Sequence, residues 1–136
     1  MRRLAIALFI LSTIDFSNAA PVNYSAVAEA NSGRSGKELV RYLRIFEDAC
    51  LYIETLSLDG NWSATSRASV CDLEGQLFSS DFTYVGFQDI SFEIDGIHLT
   101  LSTTPLEPIG EETRKCFIPI TNGQIGRLQC SKAESA

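Results

Sequence analysis

Apolar positions in this chain follow two different rhythms. From Leu39 to Leu56 they fall at Leu39, Leu43, Phe46, Cys50, Ile53 and Leu56, intervals of three and four, with Tyr42 and Ala49 widening the stripe. Lys37, Arg41, Arg44, Glu47, Asp48 and Glu54 lie mostly off it. This spacing predicts one long amphipathic helix with Cys50 on its buried face. Ser35-Gly36-Lys37-Glu38 has the residue types of a capping box at its start, and Asp59-Gly60 supplies a glycine able to close it.

Further on the rhythm changes to strict alternation. Ile90, Phe92 and Ile94 precede Asp95-Gly96, and Ile97, Leu99 and Leu101 follow it, the pattern of two strands joined by a two-residue turn. The register expected from that turn sets Ile94 opposite Ile97, Phe92 opposite Leu99 and Ile90 opposite Leu101 on the core face. On the wet face it sets Glu93 opposite His98, Ser91 opposite Thr100 and Asp89 opposite Ser102. A second turn, Asn122-Gly123, joins 116–120 to 124–130. Pro119 lacks an amide hydrogen and marks an edge strand or a bulge. With a strict two-residue turn Cys116 and Cys130 fall on opposite faces, whereas a three-residue loop with a glycine bulge puts them on the same face. Gln76 to Gln88 adds one or two strands, and the serine-rich stretch from Asn61 to Glu74, with Trp62 its one large apolar residue, reads as a loop stapled by Cys71. Helix first and strands after define an expected α+β fold: one N-terminal amphipathic helix packed on an antiparallel sheet of four or five strands.

The amino terminus reads as an export leader. Arg2 and Arg3 precede the apolar run Leu4–Leu11, and Ser17-Asn18-Ala19 offers a small-x-small cleavage site. The expected organisation is a signal peptide over 1–19, a flexible tail over 20–34 and a single domain over 35–136. No later run approaches the roughly 18 to 20 apolar residues of a transmembrane helix, so the expected location is periplasmic or secreted. Four cysteines in an exported chain predict two structural disulfides among Cys50, Cys71, Cys116 and Cys130. Spacing alone leaves three pairings open; the local one, Cys50 with Cys71 and Cys116 with Cys130, is favoured, and it needs the register with the three-residue loop.

Cleavage after Ala19 removes Arg2, Arg3 and Asp15, which takes 11 basic and 17 acidic residues to 9 and 16 and the formal charge from −6 to −7. An acidic surface repels phosphate backbones and attracts basic proteins, so nucleic acid is a poor partner and a basic protein a good one. Cofactors and metals are not expected. Close cysteine pairs are absent, His98 is the one histidine, and neither a nucleotide-binding glycine loop nor a serine elbow is present. Asn23-Tyr24-Ser25 and Asn61-Trp62-Ser63 match the glycosylation sequon, which has meaning only in a eukaryotic secretory pathway, and the compact leader reads as bacterial.

Three functional readings follow. The leading one is an exported protein-binding module, inhibitor- or immunity-like, that uses the connection from Ser102 to Arg114. There Leu106 and Ile109 are apolar anchors, Glu107, Glu111 and Glu112 steer a basic partner, and Pro105 and Pro108 limit the entropy lost on docking. The second is a carrier of a small apolar ligand, with Tyr84, Phe87, Phe92 and Leu99 lining a pocket between helix and sheet. The third is a hydrolase that uses Glu93 and His98 as an acid–base pair.

Overall fold

The computed structural model describes residues 22–135. The expected signal peptide lies outside them, as do the first residues of the expected tail. Within the described residues the chain is almost entirely β, and the long helix is absent. Its place is taken by two antiparallel strands, β2 (Glu38–Ile45) and β3 (Leu51–Leu56), paired from Leu39↔Leu56 to Arg44↔Leu51. The α+β expectation is therefore corrected to an all-β fold.

The helical spacing arose because these strands bury both faces. Val40, Tyr42, Leu51 and Ile53 point into the main core, while Leu43, Tyr52 and Leu56, of the opposite parity, are buried on the other side. Two superposed alternations produce intervals of three and four. β-Branched and aromatic residues favour the extended form, and Glu47, at φ 63°, takes a left-handed conformation that breaks the stripe at its middle. Asp48 completes the turn by accepting from the Cys50 amide at 2.8 Å.

The apparent capping box is also a hairpin. Gly36, at φ 59°, turns the chain so that Ser35 pairs with Glu38, and residues expected in the flexible tail form β1 (Val27–Ser35) along β2. Small and polar, β1 is held through main-chain pairing and carries little apolar signal. The stretch from Asn61 to Glu74 likewise contains β4 (Ala64–Val70), paired with β3, and β5 (Asp72–Leu73), which makes a short separate hairpin with β6 (Gln76–Leu77). The first sheet is thus the meander β1-β2-β3-β4.

The second sheet contains β7 (Phe82–Glu93), β8 (Gly96–Pro105), β9 (Glu112–Thr121) and β10 (Gln124–Ile125), in the order β10-β9-β8-β7. The chain then continues along β9 as β11 (Gln129–Cys130) and β12 (Glu134–Ser135). Inner faces of the two sheets meet in one apolar cluster, with Val40, Tyr42, Leu51 and Ile53 against Phe87, Ile97, Leu101 and Ile118, and Leu73 and Phe78 packed into it from the β5–β6 region. This is the logic of a sandwich, here curved into a half-barrel.

Register departs from expectation at the β7–β8 turn. Glu93 pairs with Gly96, so Ile94 and Asp95 form the turn and Ile94 is 85% exposed. The cause is Gly96. It sits inside the ladder at φ 149°, where a Cβ would lie 2.1 Å from the Ile118 carbonyl oxygen. Only glycine allows β9 to pass so close. A further shift at Asp89, φ 50°, brings Phe87 opposite Leu101 in place of Ile90.

At the other turn Asn122 and Gly123 both have positive φ, 50° and 75°, and Thr121 pairs with Gln124 as the two-residue reading requires. The shift comes later, between Ile125 and Gln129, where residues 126–128 leave the strand and move the register by one residue so that Cys116 lies directly opposite Cys130. Both disulfides take the local pairing, Cys50–Cys71 and Cys116–Cys130.

Candidate functional site

The expected 102–114 connection is shorter than its sequence suggests. β8 runs to Pro105 and β9 begins at Glu112, and these strands are already paired at Thr103↔Glu112, so only residues 106–111 are unpaired. The Ile109 amide donates to the Glu107 carbonyl at 2.8 Å and tightens the loop into a turn. Leu106 and Ile109 are 63% and 62% exposed. The three glutamates have different surroundings. Glu111 accepts from the hydroxyl of buried Ser102, and Glu112 lies 4.0 Å from the Arg114 guanidinium. Glu107 is exposed at the loop tip.

Glu93 and His98 are not opposite each other. Ser91 faces His98, and the histidine Nε2 lies 2.8 Å from Asp95 Oδ1, with its ring tilted against Phe117 at 4.9 Å. This places the imidazole at the hairpin end beside a carboxylate that the expected register had assigned to the turn itself.

The residues expected to line a ligand pocket are also dispersed. Tyr84 is half exposed, Phe87 and Leu99 belong to the core, and Phe92 stacks on Tyr42 at 6.0 Å. Since no helix is formed, the space between helix and sheet on which that reading depended does not exist.

The most developed polar constellation was invisible in the sequence reading. Glu54 is fully buried on β3, between Arg41 on β2 and Arg67 on β4, in one row across the first sheet. Arg41 donates to Oε1 from Nη2 at 2.6 Å and from Nε at 3.0 Å, and Arg67 Nε donates to Oε2 at 2.8 Å. Tyr24, from the short 3-10 turn Tyr24–Ala26, donates its hydroxyl to Oε2 and lies under the Arg41 guanidinium. Burial opposes the ionised carboxylate, but the bonds from Tyr24, Arg67 and Arg41 outweigh it and hold the Glu54 carboxyl below its ordinary range. With its oxygens saturated, Glu54 has no free acceptor for acid–base work; it clamps three strands and the entering chain together. The signal in the sequence is the spacing, since Arg41, Glu54 and Arg67 are each separated by 13 residues, the repeat of the meander.

A separate concavity lies between the two sheets. A groove of about 890 Å³ separates Ala68–Val70 at the end of β4 from residues 125–130, with Asp72 and Glu74 at its rim and Arg127 on the far wall. None of Asp72, Glu74 or Arg127 stood out in the sequence, because the groove joins segments more than fifty residues apart.

Among the described residues no group of three or more histidine, cysteine, aspartate or glutamate side chains is placed to hold a metal ion, and no helix is long and apolar enough to cross a membrane. No family model, curated protein or solved structure matches this chain.

Proposed function

We propose that this chain is an exported, disulfide-stapled β-sandwich, periplasmic or secreted, that works by binding a partner protein without catalysis, in the manner of a small inhibitor or immunity protein. The observation that carries this reading is the mounting of residues 106–111. Two long, paired strands present Leu106 and Ile109 to solvent, Pro105 and Pro108 restrict the backbone, and the Ser102–Glu111 bond ties the loop to the sheet. Little conformational entropy then remains to be lost on docking. With Glu111 and Glu112 engaged inside the domain, Glu107 is the carboxylate left to steer a basic partner toward the anchors.

The test is capture from the native extracellular or periplasmic extract on immobilised, oxidised chain, alongside a Leu106→Asp/Ile109→Asp double variant. A stoichiometric partner held by the parent and lost by the correctly folded double variant supports the reading. Retention by the double variant, or an empty column from both, overturns it. With the partner in hand, Glu107→Lys is expected to slow association and flatten its salt dependence.

A further inference from the structure

The two sheets close differently along their two sides. On one, β1 runs beside β7. On the other, β4 is bridged to the β9–β10 turn by the Ser66 hydroxyl, which donates to the Gly123 carbonyl at 2.8 Å. Beyond that bridge the walls part and leave the groove of about 890 Å³ described above. We propose that this seam takes an extended, cationic peptide strand from a partner protein.

Both walls are strand edges. β4 is the terminal strand of the first sheet, so alternate residues of Ala68–Val70 direct their N–H and C=O groups away from β3 and toward the groove. Across from it, β10 and β11 border the second sheet and residues 126–128 between them leave the ladder. Walls made of main-chain donors and acceptors suit a strand that supplies the same groups in return. The far wall is six residues long, which matches a strand of similar length, roughly 20 Å at ~3.3 Å per residue.

The walls are also fixed in advance. Cys71 follows β4 directly and is bonded to Cys50, while Cys130 ends the far wall and is bonded to Cys116. Each wall is thus pinned to its own sheet, so the strand edges themselves order little when a ligand enters. The groove's charge selects the ligand's sign. Two carboxylates, Asp72 and Glu74, face one guanidinium, Arg127, in a chain of formal charge −6. Lysine or arginine on the incoming strand meets the carboxylates, and the alternate apolar side chains meet Leu73 and Leu128. This inference uses a different surface from residues 106–111 and stands or falls independently of them.

The probes are the capped hexapeptide Thr-Val-Lys-Val-Lys-Thr, its counterpart with glutamate for lysine, and the lysine peptide methylated on alternate backbone nitrogens, titrated by amide NMR into the oxidised chain from Ala20 at up to millimolar peptide. The lysine peptide is expected to bind about tenfold more tightly than the glutamate peptide, to slow amide exchange at Ala68–Val70 and Ile125–Gln129, and to lose binding on methylation. Glu74→Lys is expected to weaken it about tenfold with the melting temperature unchanged, a comparison that does not depend on any variant in β4 folding. No binding, equal binding of both sequences, protection elsewhere, or protection of the same amides when the chain alone is concentrated would each overturn the proposal, the last by assigning the seam to a second copy.

Discussion

The Gly126 amide donates to the Pro119 carbonyl at 2.7 Å, and a Cβ on Gly126 would lie 2.4 Å from the proline Cγ. This contact keeps Gly126 in the register of the Asn122-Gly123 hairpin, and one extra residue enters the returning strand between it and Gln129. Ile125 pairs with Ile120 before it and Gln129 with Phe117 after it, so the shift brings Cys130 opposite Cys116. Without the bulge the Asn122-Gly123 register would turn the two thiols to opposite faces.

Gly126→Ala should strain this contact, the last one before the register shifts. Because the clashing atom belongs to a ring and cannot swing aside, the expected cost is about 1–3 kcal/mol, read as a lowered urea midpoint. Adding Pro119→Ala removes the ring and should recover part of the loss. A Gly126→Ala protein as stable as the parent would contradict this account of the contact.

Glu54→Gln keeps the shape of the buried side chain and removes its charge, leaving Arg41 and Arg67 without their counter-ion. Breaking such a cluster from one side costs roughly 2–4 kcal/mol, and Tyr24 should become more mobile, as read by the relaxation of its ring signals. The same cluster gives a sign for acid. Because the folded pKa of Glu54 lies below the ordinary 4.5, its contribution is complete above that value and is lost as pH falls through the lower folded value. Acid unfolding of the parent should be steeper below about pH 4.5 than that of Glu54→Gln.

Tyr52 makes the opposite prediction at alkaline pH. Its hydroxyl donates to Asp48 at 2.6 Å, and this bond, with burial second, pushes its pKa up to about 12. A raised folded pKa contributes stability that is fully present below the ordinary value of 10.0 and is lost as pH rises toward about 12. Burial also raises the Tyr42 phenol, so phenolate absorbance should show more than one tyrosine titrating above 10.0, and Tyr52→Phe should remove the step at about 12 and flatten the alkaline loss of stability.

The disulfides close loops of 21 and 14 residues. On the chain-entropy account each contributes about 2–4 kcal/mol, with the longer loop ahead by only ~0.4 kcal/mol. Paired alanine substitutions at Cys50/Cys71 and at Cys116/Cys130 should thus lower the urea midpoint by similar amounts. A loss confined to one pair would show that strain or residual structure outweighs loop length.

What the sequence made legible was local. Asn122-Gly123 announced its turn because both positions need positive φ, whereas the local cysteine pairing stayed one of three in the sequence, because Cys50 was expected on a helix and the β3–β4 pair that brings it to Cys71 was not visible. Pro105 and Pro108 marked a connection around Leu106 and Ile109, though not that it is as short as 106–111. The segment from Leu39 to Leu56 misled because a helix and a strand pair buried on both faces give the same intervals until one asks what Glu47 is doing in the middle. β1 left almost no trace, since main-chain pairing asks nothing of Ala28, Ala30 or Ser32 as side chains. Glu54 and the groove at Asp72 and Arg127 needed the strand order first, because each joins residues that only the meander or the sandwich brings together.

Both covalent cross-links lie within one half of the chain: Cys50–Cys71 serves β3 and the end of β4, and Cys116–Cys130 serves β9 and β11. Covalently, only the residues joining β6 to β7 run between the halves, and the sheets are otherwise held by their shared apolar cluster and contacts such as the Ser66–Gly123 hydrogen bond. A single proteolytic cut at Ser79–Ser80 would leave two separately stapled fragments with no bond between them. The molecule would then behave as a heterodimer of its own halves, with a stability that depends on concentration.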